Sequence, residues 1–236
     1  MALNRVMSWL RPARTVPVTR WRSDSRWSAR PATLAVLVLG LWLFGTGEAL
    51  VVVADHGNGP WTVLAQGVSI RTGISIGWAT FLISAVVLVL WIPVKERLGL
   101  GTIANAIVIA VALQVGVQFF PHPAQGWLAI VFILVGIVCL GMGSGLYLTT
   151  NLGPGPRDGW MTGIHRATGW PIPAVRLGIE VLVTGLGWLL GGTVGIGTIL
   201  FALLVGPAVG YGLQVVGTLA GSTAVVETDS EPELEA

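Results

Sequence analysis

The chain has 236 residues, 53% hydrophobic and only 10% charged, with a formal net charge of +2 and a mean hydropathy of +0.79. Soluble domains carry about 25% charged residues, so this composition excludes a water-soluble globular fold. The single cysteine, Cys139, excludes an internal disulfide, and neither a CxxC nor a Cys/His cluster offers a metal or redox centre.

Residues 1–31 are basic and broken by proline: Arg5, Arg11, Arg14, Arg20, Arg22, Arg26 and Arg30, with Pro12, Pro17 and Pro31. The apolar run that follows exceeds a signal-peptide core. The segment therefore reads as a cytoplasmic arm attracted to anionic lipid, rather than as a nucleic-acid arm or targeting peptide. Six runs long enough to cross a bilayer come next: Ala32–Ala54, Ile74–Ile92, Thr102–Phe119, Trp127–Thr149, Ile172–Leu190 and Ile196–Val216. They are expected to be helices despite their many Val and Ile residues, because in lipid each backbone group must pair within its segment. Residues 120–126 link the third and fourth spans. Residues 217–236, with Glu227, Asp229, Glu231, Glu233 and Glu235, read as an acidic, disordered, cytoplasmic tail.

Lys95 and Arg97 lie in the second connection, and Arg157 and Arg166 in the fourth. The third and fifth carry no basic residue, and the first only Arg71. Positive-inside counting then places both termini in the cytoplasm of a multi-pass protein. A shift of 96 residues lays the chain on itself without gaps. Gly40, Gly45 and Gly47 fall on Gly136, Gly141 and Gly143, Gly57-x-Gly59-Pro60 on Gly153-x-Gly155-Pro156, and Thr72-Gly73 on Thr168-Gly169. Further on, Gly99-x-Gly101-Thr102-Ile103 falls on Gly195-x-Gly197-Thr198-Ile199. Each copy (32–119 and 127–216) holds three spans, an odd number, so the second enters the membrane from the opposite side. The fold expected is an all-α membrane protein of six transmembrane helices arranged as an inverted 3+3 repeat, an architecture common among secondary transporters.

Within each copy a short helix is expected, Pro60 to Thr72 and Pro156 to Thr168. Proline is preorganised for the first helical position, and the glycine after threonine suits the left-handed cap. Thirteen residues give about 20 Å, less than the core thickness of about 30 Å, so these helices are either interfacial or re-entrant. If re-entrant, their starts present backbone N–H groups to a buried solute. The candidate solute site is therefore Gly57, Gly59 and Pro60, with Gly153, Gly155 and Pro156, joined by Glu48 inside the first span and by Arg157 and Asp158. Arg157 also satisfies the positive-inside pattern, and Asp158 also suits a helix N-terminus. Arg176 and Glu180, four apart near the start of the fifth span, read as a structural ion pair with Arg176 reaching to the cytoplasmic interface.

Gly57–Trp61 (GNGPW), Thr72–Gly77 (TGISIG), Leu98–Thr102 (LGLGT), Leu152–Gly159 (LGPGPRDG) and Gly195–Thr198 (GIGT) resemble the YczE/YyaS/YitT family of bacterial membrane proteins. The resemblance implies a multi-pass protein of the bacterial cytoplasmic membrane and brings no established activity or substrate. No GxSxG, HExxH or paired catalytic carboxylates suggest an enzyme. The expectation is a transporter or permease of a small solute. The alternative is a non-transporting accessory or regulatory protein acting through a protein partner. No cofactor and no nucleic acid are expected, and the oligomeric state is left open.

Overall fold

The computed structural model describes residues 15–123 and 125–220. The acidic residues from 221 on, the first arginines of the arm and residue 124 of the linker lie outside them. Nine helices form among the described residues: α1 (Pro31–Val53), α2 (Pro60–Thr72), α3 (Ile76–Val89), α4 (Trp91–Val94), α5 (Leu100–Phe119), α6 (Gly126–Leu148), α7 (Pro156–Thr168), α8 (Ile172–Leu189) and α9 (Ile196–Leu219). Six segments are long and apolar enough to cross a membrane: α1, α3 continued through α4, α5, α6, α8 and α9. Their ends follow local chemistry. Pro31, Pro60 and Pro156 open helices, where a missing N–H costs nothing. Ser75 caps α3 by accepting from the Trp78 N–H at 3.4 Å. Gly73 and Gly169 close α2 and α7 in the left-handed conformation, φ 75° and 73°.

The two longest-buried spans, α1 and α6, cross at the centre backbone to backbone. A β-carbon on Gly47 would lie 2.5 Å from the Gly136 carbonyl oxygen, and one on Gly143 would lie 2.6 Å from that of Gly40. Lipid gives helices no hydrophobic drive to associate, so close packing over small residues takes that role. Helix α5 flanks α1 at Gly45, against Ile109 and Ala112, and α9 flanks α6 at Gly141, against Ala208. The glycines of α6 thus serve packing inside the fold.

Each short helix packs on its own half of the chain and also docks on the other. Gly67 of α2 sits on Gly187 and Leu190, and Gly163 of α7 sits on Val94. The loops before them do the same. The Gly197 N–H donates to His56 O at 2.8 Å, and 96 residues earlier the Gly101 N–H donates to Leu152 O at 2.8 Å. At these crossings Gly57 (φ 108°) and Gly153 (φ 114°) adopt a backbone that side chains rarely tolerate, pressed on Thr198 and Thr102. One contact is exchanged in size: Gly187 makes room for Val63 and Leu64, whereas at the matching place Gly159 makes room for the Trp91 indole. The Trp91 Nε1–H then donates to Pro156 O at 2.9 Å.

Residues 15–30 are hydrogen-bonded to the connections between helices. The Ser23 N–H donates to Thr150 O, the Asn151 amide to Ser23 O, and the Leu100 N–H to Arg26 O, each at 2.9 Å. The Trp21 Nε1–H donates to Thr149 Oγ1 at 3.0 Å. This part of the arm is a strap across the connections at 95–100 and 149–151, held further by Glu96, which pairs with Arg26 and Arg166. Arg20, Arg22 and Arg30 remain exposed on it.

Candidate functional site

A cavity of about 370 Å³ opens where α1, α2, α3, α5, α6, α7, α8 and α9 meet. Most of its wall is built from corresponding positions of the two halves: Glu48 with Ser144, Gly59 with Gly155, Trp61 with Arg157, Thr62 with Asp158, Thr80 with Arg176, Ser84 with Glu180, Asn105 with Phe201, and Ile109 with Val205, each pair 96 apart. In five of these pairs one member is ionisable and the other is not. Four of the five charges come from the second half.

Glu48 is placed by the glycine face of α1 and is 2% accessible. Its Oε1 accepts from Arg157 Nη1 at 3.1 Å, and its Oε2 has no hydrogen-bond donor. A buried carboxylate needs a cation and donors to offset lost hydration. Arg157 supplies the first from the start of α7, across the two halves of the chain. Its guanidinium also lies over the Trp61 ring, 5.4 Å from the centroid, and Trp61 in turn meets Trp160 edge-on at 6.4 Å. Asp158 Oδ2 accepts from the Tyr147 hydroxyl at 3.2 Å, and Phe44 meets the Tyr147 ring edge-on. Asp158 also feels the charges of Arg176, Arg157 and Glu180. Arg176 Nε donates to Glu180 Oε1 at 2.8 Å.

Of the residues singled out in the sequence, Glu48, Gly59, Pro60, Gly155, Arg157 and Asp158 converge on this cavity. Three do not line it. Gly57 and Gly153 are spent on the loop crossings described above, where backbone is pressed on backbone. Pro156 turns its carbonyl to Trp91. Arg157 is partly buried and bound to Glu48. Arg176 and Glu180 do pair, yet they line the cavity. The buried Thr62, Thr80, Ser84 and Ser144, with Tyr147, Phe44 and Phe201, were not anticipated. Applying the 96-residue shift to Arg176, Glu180 and Glu48 would have found Thr80, Ser84 and Ser144.

Among the described residues no group of three or more His, Cys, Asp or Glu is placed to hold a metal. The site can present one open carboxylate, two carboxylate–guanidinium pairs and an aromatic wall.

The model of the family of unknown function DUF6198 matches residues 31–213. An uncharacterized protein of Haemophilus influenzae is 44% identical over 206 residues, covering 87% of this chain and 94% of its own length. The uncharacterized membrane protein YczE of Bacillus subtilis is 30% identical over 182 residues, 77% of this chain and 82% of its own. No solved structure matches. With its six apolar spans, the chain is an integral membrane protein of the DUF6198 family, in the company of YczE.

Proposed function

We propose that the protein carries a small polar solute, that its two halves form an inverted 3+3 repeat, and that the solute site is the cavity between them. The observation that carries this reading is the composition of the cavity wall: the halves contribute corresponding positions, as expected of a site on a two-fold axis between repeats. The reciprocal hydrogen bonds at Gly197 and Gly101 support the same axis. Three spans per half, with basic residues in alternate connections, support opposite orientation and cytoplasmic termini.

The burial of α2 and α7 favours re-entrant over interfacial helices. A helix lying on the membrane surface buries one face along its whole length. Here burial changes along the axis instead: Pro60 to Val63 are buried, whereas Ile70 to Thr72 are exposed. Helix α7 likewise starts in the cavity wall and ends exposed at Arg166 to Thr168. Pro207, in α9 beside the cavity-lining Gly206, lacks an N–H and weakens the helix there, which gives the wall a place to bend.

The test is uptake into proteoliposomes, guided by a screen of small ions and metabolites for thermal stabilisation of the purified protein. A carrier gives saturable uptake that is lost in Glu48→Gln. Absence of both stabilisation and uptake across the panel returns the reading to an accessory protein. Labelling of single cysteines in a Cys139→Ala background tests orientation, and external labelling of both termini overturns the topology.

A further inference from the structure

We infer that the cavity takes a small organic cation bearing N–H groups, a primary ammonium or guanidinium compound, with the Asp158 carboxylate as its anchor. This rests on the carrier reading above and adds the sign of the solute. Three carboxylates (Glu48, Asp158, Glu180) and two guanidiniums (Arg157, Arg176) line the cavity, so the wall carries one negative charge in excess. Both guanidiniums are engaged, Arg157 by Glu48 at 3.1 Å and Arg176 by Glu180 at 2.8 Å. Asp158 belongs to none of the ion pairs among the described residues. It is open to the cavity, and its one side-chain donor is the Tyr147 hydroxyl. It is the carboxylate outside both ion pairs, and it is exposed to the cavity where Glu48 is only 2% accessible.

Two further observations point the same way. Glu48 Oε2, on a side chain 2% accessible, sits in the cavity wall without a donor. Buried acceptors in folded proteins are nearly always satisfied, so this oxygen marks a place for an added N–H. The wall around it is also aromatic, and one ring demonstrates what it can hold: Trp61 carries the Arg157 guanidinium over its face at 5.4 Å. An anion entering the same space would have to break a carboxylate–guanidinium pair and would stand against Asp158. The volume, about 370 Å³, is about a dozen waters' worth at about 30 Å³ each, which admits a compact amine.

The experiment measures binding and thermal stabilisation of the purified full chain with putrescine and agmatine, with glycerol as a neutral control and acetate, phosphate and glutamate as anions. Putrescine or agmatine should stabilise saturably, and Asp158→Asn should weaken that binding at least tenfold while Asp158→Glu retains most of it. Should Asp158→Asn fail to fold, Tyr147→Phe serves instead, removing the donor that orients the carboxylate and weakening binding several-fold. Saturable stabilisation by an anion or glycerol without any by the amines overturns the sign of the solute and leaves the carrier reading standing. Amine binding of unchanged affinity in Asp158→Asn and Tyr147→Phe overturns the anchor. Stabilisation by none of the panel overturns both this inference and the carrier reading.

Discussion

The contact between Glu48 and Arg157 joins the two halves of the chain, and its energetics can be worked from its geometry. At an effective dielectric near 20, unit charges 3.1 Å apart attract by about 5 kcal/mol. Withdrawing the two groups from water offsets several kcal/mol of that. The pair is therefore worth little against two neutral partners, while either charge left alone keeps its desolvation cost. Arg157→Gln strands Glu48, which is 2% accessible, and should cost about 3 kcal/mol or more. Glu48→Gln strands Arg157, which is 21% accessible and lies over Trp61, so its cost should be smaller. The double variant should return to within about 1 kcal/mol of the parent, giving a coupling well above the 0.3–0.5 kcal/mol scatter of independent sites. At roughly 2–4 °C per kcal/mol for a chain of this size, Arg157→Gln loses about 6–12 °C. Thermal unfolding of the four proteins in one detergent at low salt reads these differences. Additive single effects, or a double variant worse than both singles, would refute the reasoning.

Other consequences follow from packing. Gly47→Ala puts a β-carbon 2.5 Å from the Gly136 carbonyl oxygen, where two backbones must part. Gly178→Ala meets nothing within 4 Å. The first should destabilise by about 1–3 kcal/mol and the second should be neutral or stabilising by up to about 1 kcal/mol, as read by thermal unfolding. Gly159→Ala places its methyl inside the Trp91 ring, so it should destabilise alone and much less in combination with Trp91→Leu. Additive costs in that pair would exclude the contact. Trp91→Phe keeps most of the ring and loses the hydrogen bond to Pro156, for about 1 kcal/mol. Glu96→Gln removes the partner of Arg26 and Arg166, and trypsin should then cut the strap at Arg20, Arg22 or Arg26 several-fold faster.

What the sequence makes legible here is what local chemistry determines. The bounds of α2 and α7 fall at the expected prolines and threonines, because proline at the first position and a left-handed glycine after the last are local requirements. The spans differ from expectation by a few residues, as where α5 starts at Leu100 and α9 runs on to Leu219. Partnership between distant segments is not local, and there the reading falls short. The spacing of Gly57 and Gly59 gives no sign that one meets Thr198 while the other lines a cavity. Nor does Arg157 disclose a partner 109 residues away. The ion pair at Arg176 and Glu180 is visible from its four-residue spacing, but its place in the cavity wall depends on how α8 packs.

The asymmetry of the charges has a physical reason. On a frame whose halves contribute corresponding positions to one cavity, a symmetric sequence would face each charge with its own copy: a second carboxylate for Glu48 in place of Ser144, a second guanidinium for Arg157 in place of Trp61. Like charges across a poorly solvated cavity repel, and neither could be satisfied by the other. Placing Glu48 in one half and Arg157 in the other turns that repulsion into an attachment between halves. Thr62, Thr80, Ser84 and Ser144 fill the mirrored positions with small hydroxyls that carry no charge. A cavity divided in this way has a single Asp158, so the proposed anchoring provides one anchor and not two. One solute bound per chain is therefore the expected outcome, and two equivalent sites per chain would contradict the proposal.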